Sequence, residues 1–142
     1  MFISTRGRYA IRIMIDLAEQ NSSDFIPLKD IAERQDISEK YLESIINQLV
    51  KGRLVTGRRG KGGGYKLLKN CQDYTIYDIL VLTETSLAPV ACLDDNGEGC
   101  RRATTCKTFP FWKELDQTIT QFLSHRTLAD LLEEHTGGNY CI

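Results

Sequence analysis

Residues 28–68 read LKDIAERQDISEKYLESIINQLVKGRLVTGRRGKGGGYKLL, and the order of patterns inside them decides the fold. Leu28, Ile31 and Ala32 recur at helical spacing up to the short linker Asp36-Ile37-Ser38. Ser38 is placed to cap a second helix, its hydroxyl accepting from free backbone N–H groups of the first turn. That helix has an inward stripe of Leu42, Ile45, Ile46 and Leu49, an outward face of Lys40, Glu43, Asn47 and Lys51, and Gly52 placed to end it. Two short helices joined by a tight turn, the second with a polar outer face, have the form of a helix-turn-helix. RLVTG and GYKLL then alternate like strands, and the glycine-rich stretch between them predicts a hairpin loop. A helix-turn-helix followed at once by a basic hairpin is the order of a winged helix.

RRGKGGGY (58–65) is then the wing tip. Gly60, Gly62 and Gly63 let the backbone lie against phosphates or in a groove, while Arg58, Arg59 and Lys61 supply charge that releases counterions. The glycines spell neither G-x-x-x-x-G-K-[ST] nor a G-x-G-x-x-G leading into a helix, so nucleotide binding lacks its geometry. An unspecialised flexible loop is the alternative.

Working outward, Tyr9, Ile13, Asp16 and Leu17, widened by Ala10, Met14 and Ala18, predict a helix from Thr5 to about Gln20, followed by a polar loop at 21–24. DYTIYDILVL predicts a short helix from about Thr75. Residues 83–108 have no period and hold three of the five cysteines. Past Pro110, residues Trp112, Leu115, Ile119 and Phe122, with Leu123 beside them, form a narrow helical seam. A last helix, TLADLLEEH, is capped by Thr127 with Asp130 three residues on, and ends at Gly137. The chain divides into a winged-helix unit (1–82), a cysteine loop (83–109), and a dimerisation helix with C-terminal helix and tail (110–142). The seam could pack on its own domain. A partner subunit is favoured, because pairing two half-sites gives a reader with one small helix more affinity and site length.

A chain of 142 residues with 42% hydrophobic and 26% charged residues builds a packed interior. Its net charge of -1 hides an asymmetry: residues 1–70 carry 13 Lys+Arg against 8 Asp+Glu, or +5, and residues 71–142 carry 5 against 11, or -6. The basic half is the candidate for a polyanionic partner. No apolar run approaches a membrane span and the N-terminus lacks a signal-peptide core, so the expectation is a cytoplasmic protein without membrane contact. No arrangement of His, Cys and acid suggests an enzyme.

CLDDNGEGCRRATTC puts seven residues between Cys92 and Cys100 and five between Cys100 and Cys106. Three thiols on one irregular loop can converge on a single centre, and thiolates suit iron–sulfur clusters, zinc or copper(I). Structural zinc usually brings C-x2-C pairs or nearby His ligands, which this loop lacks. The thiols could instead be redox sensors, favoured as thiolates by Arg101, Arg102 and Lys107, or they could be inert. Cys71 and Cys141 look isolated.

ISTRGRYAIRIMIDLA, LKDIAERQDISEKYLE, LVTGRRGKGGGYKL and SLAPVACLDD together resemble the Rrf2 family of winged-helix transcription regulators, closest to its IscR-like iron–sulfur branch, with CymR-like features. The resemblance implies a mainly α fold with a winged helix-turn-helix, a two-stranded β wing and a long C-terminal dimerisation helix. It also implies a homodimer on a palindromic double-stranded DNA operator. Ser38, Lys40, Tyr41 and Glu43 match the recognition-helix contact region, and Arg59 with its following glycines matches the wing contact. Cys92, Cys100 and Cys106 match the cluster ligands, for a 2Fe–2S rather than a 4Fe–4S centre sensing cluster status or a redox or nitrosative signal. The first gap is longer than in that branch, and Phe109 stands where the branch has a ligating histidine. The fourth ligand is open to Asp94, Asp95, Glu98, a partner group, a small thiol or solvent. The tail GGNYCI is similar to tails that enter cysteine synthase. The rivals are a cluster-free regulator of cysteine metabolism, switched by thiol oxidation or by cysteine synthase, and an adaptor that keeps the helix-turn-helix unused.

Overall fold

The computed structural model describes residues 3–137. The tail from Gly138 onward, with Cys141 and the cysteine-synthase contact read into it, lies outside the described residues. α1 (Thr5–Gln20) is capped by Ser4, whose hydroxyl accepts from the Gly7 N–H at 3.0 Å, and it buries Ala10, Ile13, Met14 and Leu17. α2 (Leu28–Gln35) and α3 (Glu39–Lys51) follow. Between them Asp36 takes the left-handed conformation, φ 53°. The Asp36 N–H then bonds to the Glu33 carbonyl and the Ile37 N–H to the Ala32 carbonyl, a Schellman closure that makes the turn tight. Ser38 accepts from the Tyr41 N–H at 3.3 Å, as its sequence position predicts.

α1 and α2 are locked by a charge. Asp16 is 1% exposed, and its carboxylate accepts from Arg34 Nε at 3.0 Å, Arg34 Nη2 at 2.7 Å and Gln35 Nε2 at 2.8 Å. A buried carboxylate is tolerable only when its lone pairs are filled in this way. The bond to Asp16 raises the Arg34 pKa further above its ordinary value.

α3 ends where expected but for another reason. Gly52 keeps an ordinary negative φ, and the left-handed residue is Arg53, φ 58°, with Arg53 N–H to Val50 and Leu54 N–H to Leu49 both at 3.0 Å. At Gly52 the absence of a side chain leaves room for the end of the Leu82 side chain, which would have to shift to admit a Cβ. The wing is an antiparallel pair, β1 (Val55–Arg58) and β2 (Gly64–Leu67), in the register Val55↔Leu67 to Arg58↔Gly64. Ile26 adds a single bridge to Tyr65, with both N–H···O bonds at 2.8 Å. A side chain at Gly64, φ 143°, would overlap the Ile26 carbonyl, so the close approach requires glycine.

A 3-10 turn at Cys71–Asp73 leads to Tyr74 and then α4 (Ile76–Thr83), which opens on a reciprocal Thr75/Asp78 capping box. The Tyr74 ring is fully buried. Its hydroxyl accepts from the N–H groups of Leu68 (2.8 Å) and Lys69 (2.7 Å) and donates to the Leu54 carbonyl (2.8 Å). The cysteine segment contains only the 3-10 turn Ala91–Leu93 among its described residues before α5 (Phe109–His125), none of whose residues is buried. α6 (Leu128–Gly137) returns to the winged unit: Leu128 is fully buried in the core, and its N–H bonds to the Tyr74 carbonyl at 2.9 Å. By packing, α6 therefore belongs with residues 1–82, although in sequence it follows α5.

Tyr74→Phe keeps the ring but removes the phenol oxygen from two N–H groups and a carbonyl, leaving only the long 3.5 Å bond between Leu68 N–H and the Leu54 carbonyl. Its expected effect is a loss of about 2–3 kcal/mol in urea unfolding, with faster hydrogen exchange at Leu68 and Lys69.

Candidate nucleic-acid interface and cysteine loop

A cleft of about 540 Å³ separates α3 from the wing. Glu43, Asn47 and Val50 form the α3 wall, residues 57–60 and 63–65 form the wing wall, and Pro27 and Leu28 complete the lining. Of the residues singled out in the sequence, Glu43, Arg58, Arg59, Gly60 and Gly63 line this cleft. Ser38, Lys40 and Tyr41 instead line a smaller hollow of about 270 Å³ with Ser44, at the start of α3. Lys61 and Gly62 are exposed at the wing tip.

The two wing arginines differ. Arg58 is turned back on its own hairpin, its Nη2 donating to the Gly62 carbonyl at 3.0 Å. Arg59 is exposed and makes no hydrogen bond or ion pair among the described residues; Lys61 is in the same state. Tyr65 and Asn47 join the cleft without having been singled out. Gly57, opposite Tyr65 in the register, lets the tyrosine ring lie across β1, since a Cβ there would come within 3.0 Å of the ring. Burial first, and then the charge of Glu43, push the Tyr65 phenol up, with Arg59 pulling the other way, so both charges act on the same ring.

α1 contributes more than its buried stripe. The Arg6 guanidinium lies 5.9 Å from the Tyr41 ring centroid and donates to Gln48 Oε1 at 3.3 Å. Tyr41 meets Tyr9 edge-on at 5.9 Å, and Arg12 lies 5.0 Å over Tyr9. Arg6 thus stands against α3 and Arg12 is linked to it through the Tyr9–Tyr41 pair, while Arg8 is exposed on the same helix. The signal was RGRYAIR, read only for its apolar period.

Cys92, Cys100 and Cys106 are free and half-buried. Three soft donors on one irregular loop suit an iron–sulfur cluster in their chemistry, but the side chains are not assembled into a ligand set: among the described residues no three His, Cys, Asp or Glu groups lie close enough to hold a metal ion. Asp94 and Asp95 line a groove of about 430 Å³ with Glu84 and Asp116, while Glu98 is exposed. Cys106 stands just before α5. Its Sγ lies 3.2 Å from Thr108 Oγ1, and that hydroxyl first, then the Thr108 and Phe109 N–H groups and the Arg102 charge, hold the thiol below its ordinary range. Burial pushes the Cys71 thiol up.

The profile of the Rrf2 family, described as iron-dependent transcriptional regulators, matches residues 3–134. The chain belongs to the Rrf2 family. It is a DNA-binding transcription regulator of winged helix-turn-helix fold and not an enzyme. It is similar to the HTH-type transcriptional regulator IscR of Vibrio cholerae, 37% identical over 136 residues, which span 95% of this chain and 77% of that one. Among solved structures it is similar to CymR, the global cysteine regulator of B. subtilis, with 33% identity, TM-score 0.76, and coverage of 94% and 98% of the two chains. The T. potens IscR structure gives 33% identity, TM-score 0.73, and coverage of 95% and 88%. No helix among the described residues is long and apolar enough to cross a membrane.

The opposite shifts of the two Rrf2-chain thiols give a measurable order. Only the thiolate is alkylated, so a lowered pKa raises the reactive fraction at neutral pH and a raised one diminishes it. Iodoacetamide at pH 7 is expected to label Cys106 before Cys71 by peptide mass spectrometry, with the Cys71 rate still climbing with pH where the Cys106 rate has levelled off.

Proposed function

We propose that two copies of this Rrf2 regulator bind a palindromic double-stranded operator, each inserting α3 and gripping the flank with its wing. The cleft that gathers Glu43, Asn47, Arg59 and Tyr65 carries this reading. Arg59, exposed and unpaired among the described residues, suits a base edge or a narrow minor groove, and Glu43 suits the amino group of a cytosine. Lys40 suits a phosphate, with Ser38 and Tyr41 beside it. The pairing surface is α5: Phe111 is 60% exposed and Phe122 62%, with Leu115 on the same helix. A helix of 17 residues with none buried leaves an apolar face that a second copy would cover. Two recognition helices joined in this way would meet half-sites about 34 Å apart. The protein would work in the cytoplasm.

The regulatory input proposed is an iron–sulfur cluster, 2Fe–2S rather than 4Fe–4S, held by Cys92, Cys100 and Cys106. The family's description as iron-dependent and the similarity to IscR support it. When bound, such a group supplies a centre that responds to oxidants or nitric oxide. The separated thiols, the lowered pKa of Cys106 and the similarity to CymR favour a second reading, a cluster-free regulator of cysteine metabolism switched by thiol oxidation or by binding cysteine synthase.

Arg59→Ala is expected to weaken operator binding by about 1–3 kcal/mol and to relax base preference where the wing docks. Unchanged binding and preference would remove Arg59 from the interface. Anaerobic reconstitution with iron and sulfide is expected to give a coloured protein with about two irons per protomer, lost in Cys92→Ala. A colourless, iron-free product would reject the cluster in favour of the thiol switch.

A further inference from the structure

The outer face of the wing is organised around an aromatic ring. Ile26 pairs with Tyr65, and neighbouring strand residues point to opposite sides. Phe25 therefore falls on the face away from Tyr65, the face that also carries Lys66 and, opposite Gly64, Arg58. The Arg58 guanidinium carbon lies 4.5 Å from the Phe25 ring centroid, and the Lys66 ammonium nitrogen lies 4.7 Å from it. Two cations gathered about one ring repel each other. The electron-rich ring faces offset that repulsion, and the Arg58 bond to the Gly62 carbonyl fixes one of the pair. Neither cation forms an ion pair among the described residues, so the charge on this face is not neutralised by a carboxylate.

We infer that Phe25 is a positioning residue for DNA binding: it holds Arg58, which also borders the cleft, and Lys66 as a phosphate-binding pair on the outer side of the wing, apart from the unbonded Arg59. The inference rests on the DNA-binding reading above and adds a division of labour to it. The inner face of the hairpin, with Arg59 beside Glu43 and Asn47, discriminates between bases. The outer face contributes charge that is blind to sequence. Phe25 has no donor or charge of its own, so its effect on a phosphate travels through the two cations. Holding their long side chains in advance lowers the conformational entropy lost on binding.

The test uses the full chain and a mixed-sequence duplex of about 30 base pairs, titrated across a range of salt concentrations, because phosphate contacts set the slope of affinity against salt. Phe25→Leu is expected to bind roughly threefold to tenfold more weakly, with the slope smaller by about 1 to 2, while Phe25→Tyr stays near wild type. In an Arg58→Gln, Lys66→Gln background, adding Phe25→Leu is expected to change nothing further. An unchanged salt slope in Phe25→Leu overturns the inference, as does an equal further loss in the double-glutamine background, which is what a purely structural role produces. Should Phe25→Leu fail to fold, the double-glutamine chain alone decides, since a wild-type slope there removes the outer pair. A wild-type chain without affinity for the duplex overturns the DNA-binding reading itself, and this inference with it.

Discussion

A phenol carried into an apolar interior must find partners for its hydroxyl, and the oxygen of Tyr74 finds three backbone groups at the root of the wing, where the direct Leu68 N–H to Leu54 carbonyl bond is long, at 3.5 Å. Leu54 immediately precedes β1, and Leu68 and Lys69 immediately follow β2, so one oxygen ties the strand that enters the wing to the strand that leaves it. The carbonyl of the same residue accepts from Leu128 and brings in α6. Burial pushes the phenol up, which keeps the hydroxyl proton in place for Leu54. Because the wing is only a two-stranded ribbon, its angle to α3 is set at this root and at the Ile26 bridge. The width of the cleft follows from those two anchors.

Within the cleft the charges are not uniform. A surface built only for affinity would line itself with cations, yet Glu43 stands on the α3 wall facing the wing that carries Arg59. A carboxylate near phosphates is repelled, and a base edge that donates a hydrogen bond offsets that repulsion. On the proposed reading Glu43 therefore lowers affinity for the wrong sequence more than it raises affinity for the right one. The asymmetry of the chain fits the same logic, with +5 over residues 1–70 and -6 over residues 71–142. The positive half meets the polyanion, while the negative half holds the helix proposed for pairing.

The helices and the hairpin were legible because each has a period and a punctuation mark: the stripe of Leu42, Ile45, Ile46 and Leu49 after Ser38, and the capping boxes at Thr75/Asp78 and Thr127/Asp130. What escaped has no period. Ile26 pairs through a single bridge, too short to alternate, and with it went Phe25 and the outer face of the wing. Gly52 drew attention as a helix stop, but Arg53 takes the left-handed turn, a conformation that non-glycine residues adopt at a local penalty which the two closing hydrogen bonds offset. The return of α6 to the core depends on Leu128 meeting Tyr74, a contact across more than fifty residues that neither segment announces. The cysteines stand between these cases: their grouping on one loop was plain, whereas their relative positions depend on a segment with little backbone pairing to constrain it.

That loop occupies a mechanically uneven position. At its C-terminal end α5 is anchored by backbone bonds, Ile76 N–H to the Arg126 carbonyl and Leu128 N–H to the Tyr74 carbonyl, both at 2.9 Å. Its N-terminal end is reached only through the irregular residues 94–108, and along its length it packs against α4 and the short turn that holds Cys92. A rod fixed at one end and loosely held at the other pivots about the fixed end. On the proposed sensing reading, drawing the thiols of the loop together, by ligation or by oxidation, acts at the loose end, where leverage is greatest. The fixed end lies at Tyr74, which also carries the root of the wing. A rotation of α5 is then a rotation relative to the DNA-reading surface, and in a pair joined through α5 it changes the separation of the two α3 helices. The same tyrosine that sets the cleft is thus the fulcrum against which the cysteine loop would work.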